Sequence, residues 1–216
     1  MSQPPANPKI YHITHVNNLP AIIQGGGLWS DAKRIELGLD TNLVGMSRIK
    51  QRRLVERPVS CWAGTMVGSY VPFYYCPRSI MLYILDRSNH QDIDYRGGQG
   101  PIVHLEADLN ATINWAAANN VIWALSPSNA GASYANFYNS TDELNQIDWD
   151  AVGNRDFRSP RVKEGKQAKF LVHNWFPWQL VERIGVFDQN RLELVTQTLV
   201  TSAHQPPVQV ENRWYY

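Results

Sequence analysis

From Lys166 to Trp178 the chain reads KQAKFLVHNWFPW, and the middle of that stretch alternates with the period of a strand. Ala168, Phe170 and Val172 fall on one face, Lys169, Leu171 and His173 on the other. Pro177 has no amide to give a central strand, so pairing is expected to stop just before it. The odd residue is Lys169, because lysine is a poor strand former. On an edge strand it is a solvated lysine that discourages aggregation. Otherwise the position lies in a site.

The rest of the chain surrounds that strand with an irregular mixture. Strand-like segments fall at 10–14, 71–76, 101–105, 121–125, 184–187 and 208–210. Helix-compatible ones fall at 19–26, 47–54, 78–85, 109–118, 144–152 and 191–203. Asn17 or Asn18, Asp108 or Asn110, and Asn190 stand where N-caps are expected, and Pro77 and Ser79 suit a first helical turn. Residues 64–69 read as a flexible loop. There is no internal repeat, no βαβ rhythm and no phosphate-binding glycine fingerprint. This pattern predicts one α+β domain over 10–216, preceded by a loose Pro- and Asn-rich arm at 1–9.

A chain of 216 residues with 44% hydrophobic residues can bury a sizeable core. The net charge of +1 gives no argument for a polyanion partner, so any such partner must be read from local clusters. Two exist: Arg48, Lys50, Arg52 and Arg53, then Arg155, Arg158, Arg161, Lys163 and Lys166. Eight Trp and ten Tyr serve packing, or stacking on flat ligands. Cys61 and Cys76 have no metal-ligand spacing around them, so no metal is expected, and free thiols in a reducing compartment are the default. The N-terminus lacks a signal pattern and no apolar run approaches the roughly 20 residues of a membrane span, which predicts a cytoplasmic protein with no membrane partner.

Four motifs in order carry a resemblance: YHITH at 11–15, YVPFYYCPRS at 70–79 running on to Met81-Leu82-Tyr83, GGQGPIVHL at 97–105, and KQAKFLV at 166–172. Together they resemble DarT, the DNA ADP-ribosyltransferase toxin of DarT–DarG toxin–antitoxin pairs, from about residue 10 to the terminal Trp214-Tyr215-Tyr216. The resemblance implies an ADP-ribosyltransferase-like fold, with a split pair of small mixed sheets, flanking helices and an NAD cleft between them. It implies NAD as co-substrate, a thymine base in single-stranded DNA as acceptor, and a macrodomain antitoxin of the DarG type as partner.

By the same resemblance His12 meets the adenosine-side ribose, with Thr14 on the same face of its strand; the alternative for His12 is a satisfied, half-buried histidine. Tyr74, Ser79 and Tyr83 resemble the family's nicotinamide shelf, where an aromatic stacks on the ring and a hydroxyl meets the carboxamide. Core packing is the other use of these aromatics. Arg53 matches an arginine needed for activity; it forks onto the NAD diphosphate or acts on the target base, against the plain reading of a solvated helix charge. Arg48, Met81, Tyr134, Arg155 and Arg158 fall where DNA contacts are expected.

Lys169 departs from the family. The family strand reads QAEFL and its Glu is catalytic; this chain reads QAKFL. Glu164, five residues earlier, would face the other side of an unbroken strand and is not expected to substitute. The chain is therefore expected to be an inactive Glu-to-Lys variant. The alternatives are a natural pseudoenzyme that holds NAD or single-stranded DNA without transfer, and a transferase acting on RNA or protein.

Overall fold

The computed structural model describes residues 3–39, 47–88, 93–156 and 158–216, with backbone alone at 47–50. In chain order its elements are β1 (Lys9–His15), α1 (Leu19–Gln24), β2 (Gly27–Trp29), α2 (Asp31–Glu36), α3 (Ser47–Val55), β3 (Tyr70–Tyr74), α4 (Ile80–Arg87), β4 (Ile102–Asp108), α5 (Leu109–Ala118), β5 (Trp123–Ser126), α6 (Trp149–Gly153), α7 (Pro160–Gly165), β6 (Lys169–His173), β7 (Trp175–Pro177), β8 (Val181–Val186), α8 (Gln189–Leu199) and β9 (Val208–Val210).

Local chemistry sets several boundaries. The Asp108 carboxylate accepts from Ala111 N at 2.8 Å and starts α5, while also pairing with Lys9 at 3.0 Å. Ser79 is the N-cap of α4 rather than part of its first turn, accepting from Leu82 N at 3.2 Å. Ser88, at φ 50, closes that helix. Asn18, one of the two residues expected there, stands at the N-cap of α1, but its amide turns to Thr14 Oγ1 at 3.0 Å and makes no side-chain cap bond. Asp188, not Asn190, caps α8, because Asp188 has the extended backbone and Asn190 is already helical.

The strands form a seven-stranded sheet in the order β5-β6-β3-β1-β4-β8-β9, antiparallel except for β8–β9, and a two-stranded sheet of β2 and β7. The expected pair of sheets is present as a large mixed sheet and a small second one, the large sheet pinched where β1 meets β3. β1 pairs with β4 along its whole length, but its register with β3 is the single pair Tyr11↔Tyr74. β6 lies between β3 and β5, so the edge-strand reading of Lys169 falls. Phe170, Leu171 and Val172 are all 0% exposed because both faces of the strand are covered. Pairing does not end before Pro177. The chain turns at Asn174 (φ 58) and resumes as β7, where Pro177 sits opposite Gly27 in a two-stranded ribbon that needs no amide from it.

The segment expected to be a flexible loop is packed. Val67 is fully buried, and Gly68 lies against α3, where a Cβ would stand 2.7 Å from Leu54 Cδ2. That close approach fixes α3, which carries Arg53, against the turn leading into β3. At the other end of the chain Trp214 covers Gly185, whose Cβ would come within 2.3 Å of the indole.

Candidate active site

Register places Ser126, Lys169, Tyr74, Tyr11, Glu106 and Arg183 in one row across six strands, all on the same face of the sheet. At one end Arg183 donates to Glu106 at 2.6 Å. At the other, Lys169 projects over its neighbour. Its Nζ lies 3.3 Å from the centroid of the Tyr74 ring and donates to Gln167 O at 3.0 Å. Burial pushes its pKa well below the ordinary lysine range. The Arg53 guanidinium adds to that effect, while Cys76 and Glu164 oppose it. Burial likewise raises the Tyr74 phenol against the pull of Arg53, with Ser79 and the Met81 backbone also beside it.

The structure therefore gathers Lys169, Tyr74, Ser79 and Arg53. The Ser79 hydroxyl is fully buried and engaged in its cap. Tyr83 stands one turn along α4, its ring 5.2 Å from that of Tyr216, with Arg87 on its face at 5.1 Å. His12 and Thr14 share a face, as expected, but register puts that face opposite Tyr74 and Lys169. Where β1 leaves β3, the His12 Nδ1 donates to Pro72 O at 2.9 Å, and its ring meets Phe73 edge-on. Thr14 accepts from Asn18.

The residues expected to meet DNA are scattered. Met81, in the first turn of α4, is half-buried against the cluster that holds Leu82, Leu85 and Trp214. Tyr134 is 66% exposed, with its hydroxyl donating to Glu164 at 3.3 Å. Arg155 is exposed, and Arg158 is held by Asp156. Arg48 lies outside the residues whose side chains are described. The second basic cluster is partly consumed by the fold. Arg161 pairs with Asp148 at 2.8 Å, and Lys166, only 3% exposed, donates to Val152 O at 3.0 Å and lies 3.8 Å from the Cys76 sulfur. Cys76 and the half-buried Cys61 are both free.

Glu164 corrects the parity argument. It belongs to α7, not to an extension of β6, so strand alternation says nothing about where it points. Its carboxylate acts on Lys169 through space and takes the Tyr134 hydroxyl. Ser126 and Tyr216 were not singled out from the sequence. Ser126 Oγ is fully buried opposite Lys169 and has no hydrogen-bond partner among the described residues. The Tyr216 hydroxyl donates to Arg78 O at 3.0 Å and Ser79 O at 3.2 Å. Only register could have found the first. The terminal Trp-Tyr-Tyr run was a usable signal for the second. Among the described residues no three His, Cys, Asp or Glu side chains gather as a metal site.

The chain superposes on Thermus sp. 2.9 DarT in complex with ADP-ribosylated ssDNA with a TM-score of 0.87 and 33% identity, over 100% of this chain and 99% of that one. The same Thermus protein in complex with NAD+ matches with a TM-score of 0.83 and 33% identity, over 99% of this chain and 100% of that one. The fold is that of an ADP-ribosyltransferase. A DNA ADP-ribosyl transferase of Thermus aquaticus is 36% identical over 214 residues, 98% of this chain and 90% of the relative. The family model described as ssDNA thymidine ADP-ribosyltransferase, DarT, matches residues 11–216, and the chain belongs to that family.

Proposed function

We propose that residues 10–216 form the scaffold of an enzyme that transfers ADP-ribose from NAD to thymine in single-stranded DNA, the toxin of a cytoplasmic toxin–antitoxin pair whose partner is a macrodomain antitoxin, and that Lys169 leaves this chain inactive. The observation that carries the reading is Lys169 itself, an amine on an interior strand of a family member, buried beside Tyr74 and Arg53. In that arrangement Arg53 forks onto the diphosphate or acts on the base, Tyr74 stacks on the nicotinamide, and Ser79 and Tyr83 lie toward the carboxamide. The adenosine-side ribose falls to His12 and Thr14 by the family resemblance alone, because register sets them on the other face of the sheet from Tyr74. Met81, Tyr134, Arg155 and Arg158 face the DNA strand.

Transfer builds positive charge on the nicotinamide ribose, and a carboxylate opposite that charge stabilises it. An ammonium about 4 Å away at an effective dielectric of about 20 repels it by roughly 4 kcal/mol. That is about three powers of ten in rate. An uncharged amine avoids the repulsion but supplies no carboxylate.

The test is NAD-dependent labelling of a thymine-containing single-stranded oligonucleotide. The chain itself is expected to give none, and Lys169→Glu to give clear labelling. Labelling by the unaltered chain would overturn the inactive reading. Labelling of RNA or protein alone would move the acceptor. A folded Lys169→Glu chain that labels nothing would favour a pseudoenzyme that binds without transfer. That second reading has an observation of its own: Lys169 is accommodated, with a hydrogen bond and an aromatic face, rather than left strained.

A further inference from the structure

Resting on that reading of the NAD cleft, we propose that Lys169 does more than remove a carboxylate: its amine occupies the place on Tyr74 that a nicotinamide ring would take, so the cleft accepts ADP-ribose and related adenine diphosphates without a cationic ring in preference to NAD.

A stacked ring and the Lys169 amine need the same space over Tyr74. Non-bonded heavy atoms rest about 3.5–4.0 Å apart, and a stacked ring needs the whole of that layer above its partner. Lys169 Nζ lies 3.3 Å from the Tyr74 centroid, inside that layer and over the middle of the ring. The amine is held there from two sides, by the Tyr74 face and by Gln167 O at 3.0 Å. Its backbone is paired on both sides, to Tyr74 and to Ser126, which fixes the strand from which the amine reaches the ring.

The oxidised nicotinamide ring is a cation, and a cation is what an electron-rich phenol face attracts. Lys169 brings a basic nitrogen to that same face, so it competes for the attraction as well as the space. The Arg53 guanidinium, which acts on both Lys169 and Tyr74, adds a further positive charge against an incoming pyridinium. The same guanidinium favours a diphosphate. ADP-ribose offers the diphosphate and both riboses but no ring, so it meets the attraction and avoids the obstruction.

Calorimetric titration of the full chain with ADP-ribose and with NAD tests this. The chain is expected to bind ADP-ribose about tenfold to a hundredfold more tightly than NAD, the size of one aromatic contact and one hydrogen bond lost on displacing the amine. Lys169→Met keeps an unbranched stem one atom shorter and removes the nitrogen that lies over the ring. It is expected to raise NAD affinity by about tenfold or more and to leave that for ADP-ribose within about threefold. Equal affinities for the two ligands in the unaltered chain, or an unchanged ratio in Lys169→Met, would overturn the proposal and leave the NAD-cleft reading standing. Absence of binding by either ligand to either folded protein would overturn both. The comparison on the unaltered chain needs no substitution, so a variant that fails to fold does not rescue the idea.

Discussion

Arg53 and His104 show how single side chains divide between chemistry and scaffold. Arg53 acts on both Lys169 and Tyr74, which no other described arginine does. In a Lys169→Glu background, Arg53→Ala is expected to lower oligonucleotide labelling by at least about a hundredfold, the scale of a lost charge-assisted contact to a phosphate or developing charge. Labelling within a few-fold of the parent would remove Arg53 from the site. His104 does its work out of sight. It is fully buried on β4, its Nε2–H donates to Pro77 O at 3.0 Å, and its Nδ1 has no partner among the described residues. Burial pushes its pKa down to about 4, while in the unfolded chain it returns to about 6.5. The folded state thus favours the neutral ring. Its contribution is present in full above pH 6.5 and is lost as pH falls towards 4, reaching about 3 kcal/mol. Urea unfolding at a series of pH values should show that decline, and His104→Phe should flatten most of it. His15 and His173, also lowered by burial, account for a smaller residue. An undiminished slope in His104→Phe would assign the decline to them instead.

At the scale of elements, α3 depends on a glycine it does not contain. A Cβ at Gly68 would lie 2.9 Å from Leu54 Cα as well as 2.7 Å from its side chain, so the helix itself would have to move. Gly68→Ala is expected to cost about 1–3 kcal/mol. For a chain of this size that lowers Tm by roughly 2–12 °C, and by shifting Arg53 it should also weaken ADP-ribose binding. A variant with unaltered Tm and binding would separate α3 from the site. This element also shows where sequence reading stops. α5 and β9 were legible to the residue because a cap or a Val-Gln-Val alternation marks them locally. The packing of Gly68 was not, since nothing near it names Leu54 as its neighbour. Nor was the ribbon of β2 and β7, three residues each, joined across 27–29 and 175–177. α7 was hidden inside a basic run, and that concealed both the burial of Lys166 and the direction of Glu164. The position of Lys169 was legible only through motif order. Its interior strand and its contact with Tyr74 follow from pairing between distant segments, which composition and period do not encode.

Across the whole molecule the pinch between β1 and β3 sets the problem of holding two half-sheets together beside a cleft. One register pair, Tyr11↔Tyr74, is a thin backbone joint. The C-terminus reinforces it. Trp214 packs on Gly185 and meets the Tyr11 ring at 5.2 Å, with Arg183 on its other side. The Tyr215 hydroxyl donates to Ile102 O at 2.7 Å and Gly185 O at 3.2 Å. Tyr216 then crosses to the other half. Its backbone is gripped by the Gln99 side chain, its ring lies under the Arg78 guanidinium at 4.4 Å, and its hydroxyl reaches the carbonyls of Arg78 and Ser79. The last residue of the chain therefore ties the β4 side to the corner that starts α4 and flanks Tyr74. Tyr216→Phe keeps the ring and removes only the two hydrogen bonds, so it should cost about 1–3 kcal/mol in chemical denaturation without changing the m-value. Because the freed carbonyls belong to Arg78 and Ser79, the same variant should weaken ADP-ribose binding several-fold. Tyr216→Ala, which also gives up the ring, should cost about 3–5 kcal/mol. If Tyr216→Phe lost stability but kept its full ligand affinity, the C-terminus would hold the sheet without shaping the cleft. The joint loss of both is the result expected of a strap that does the two at once.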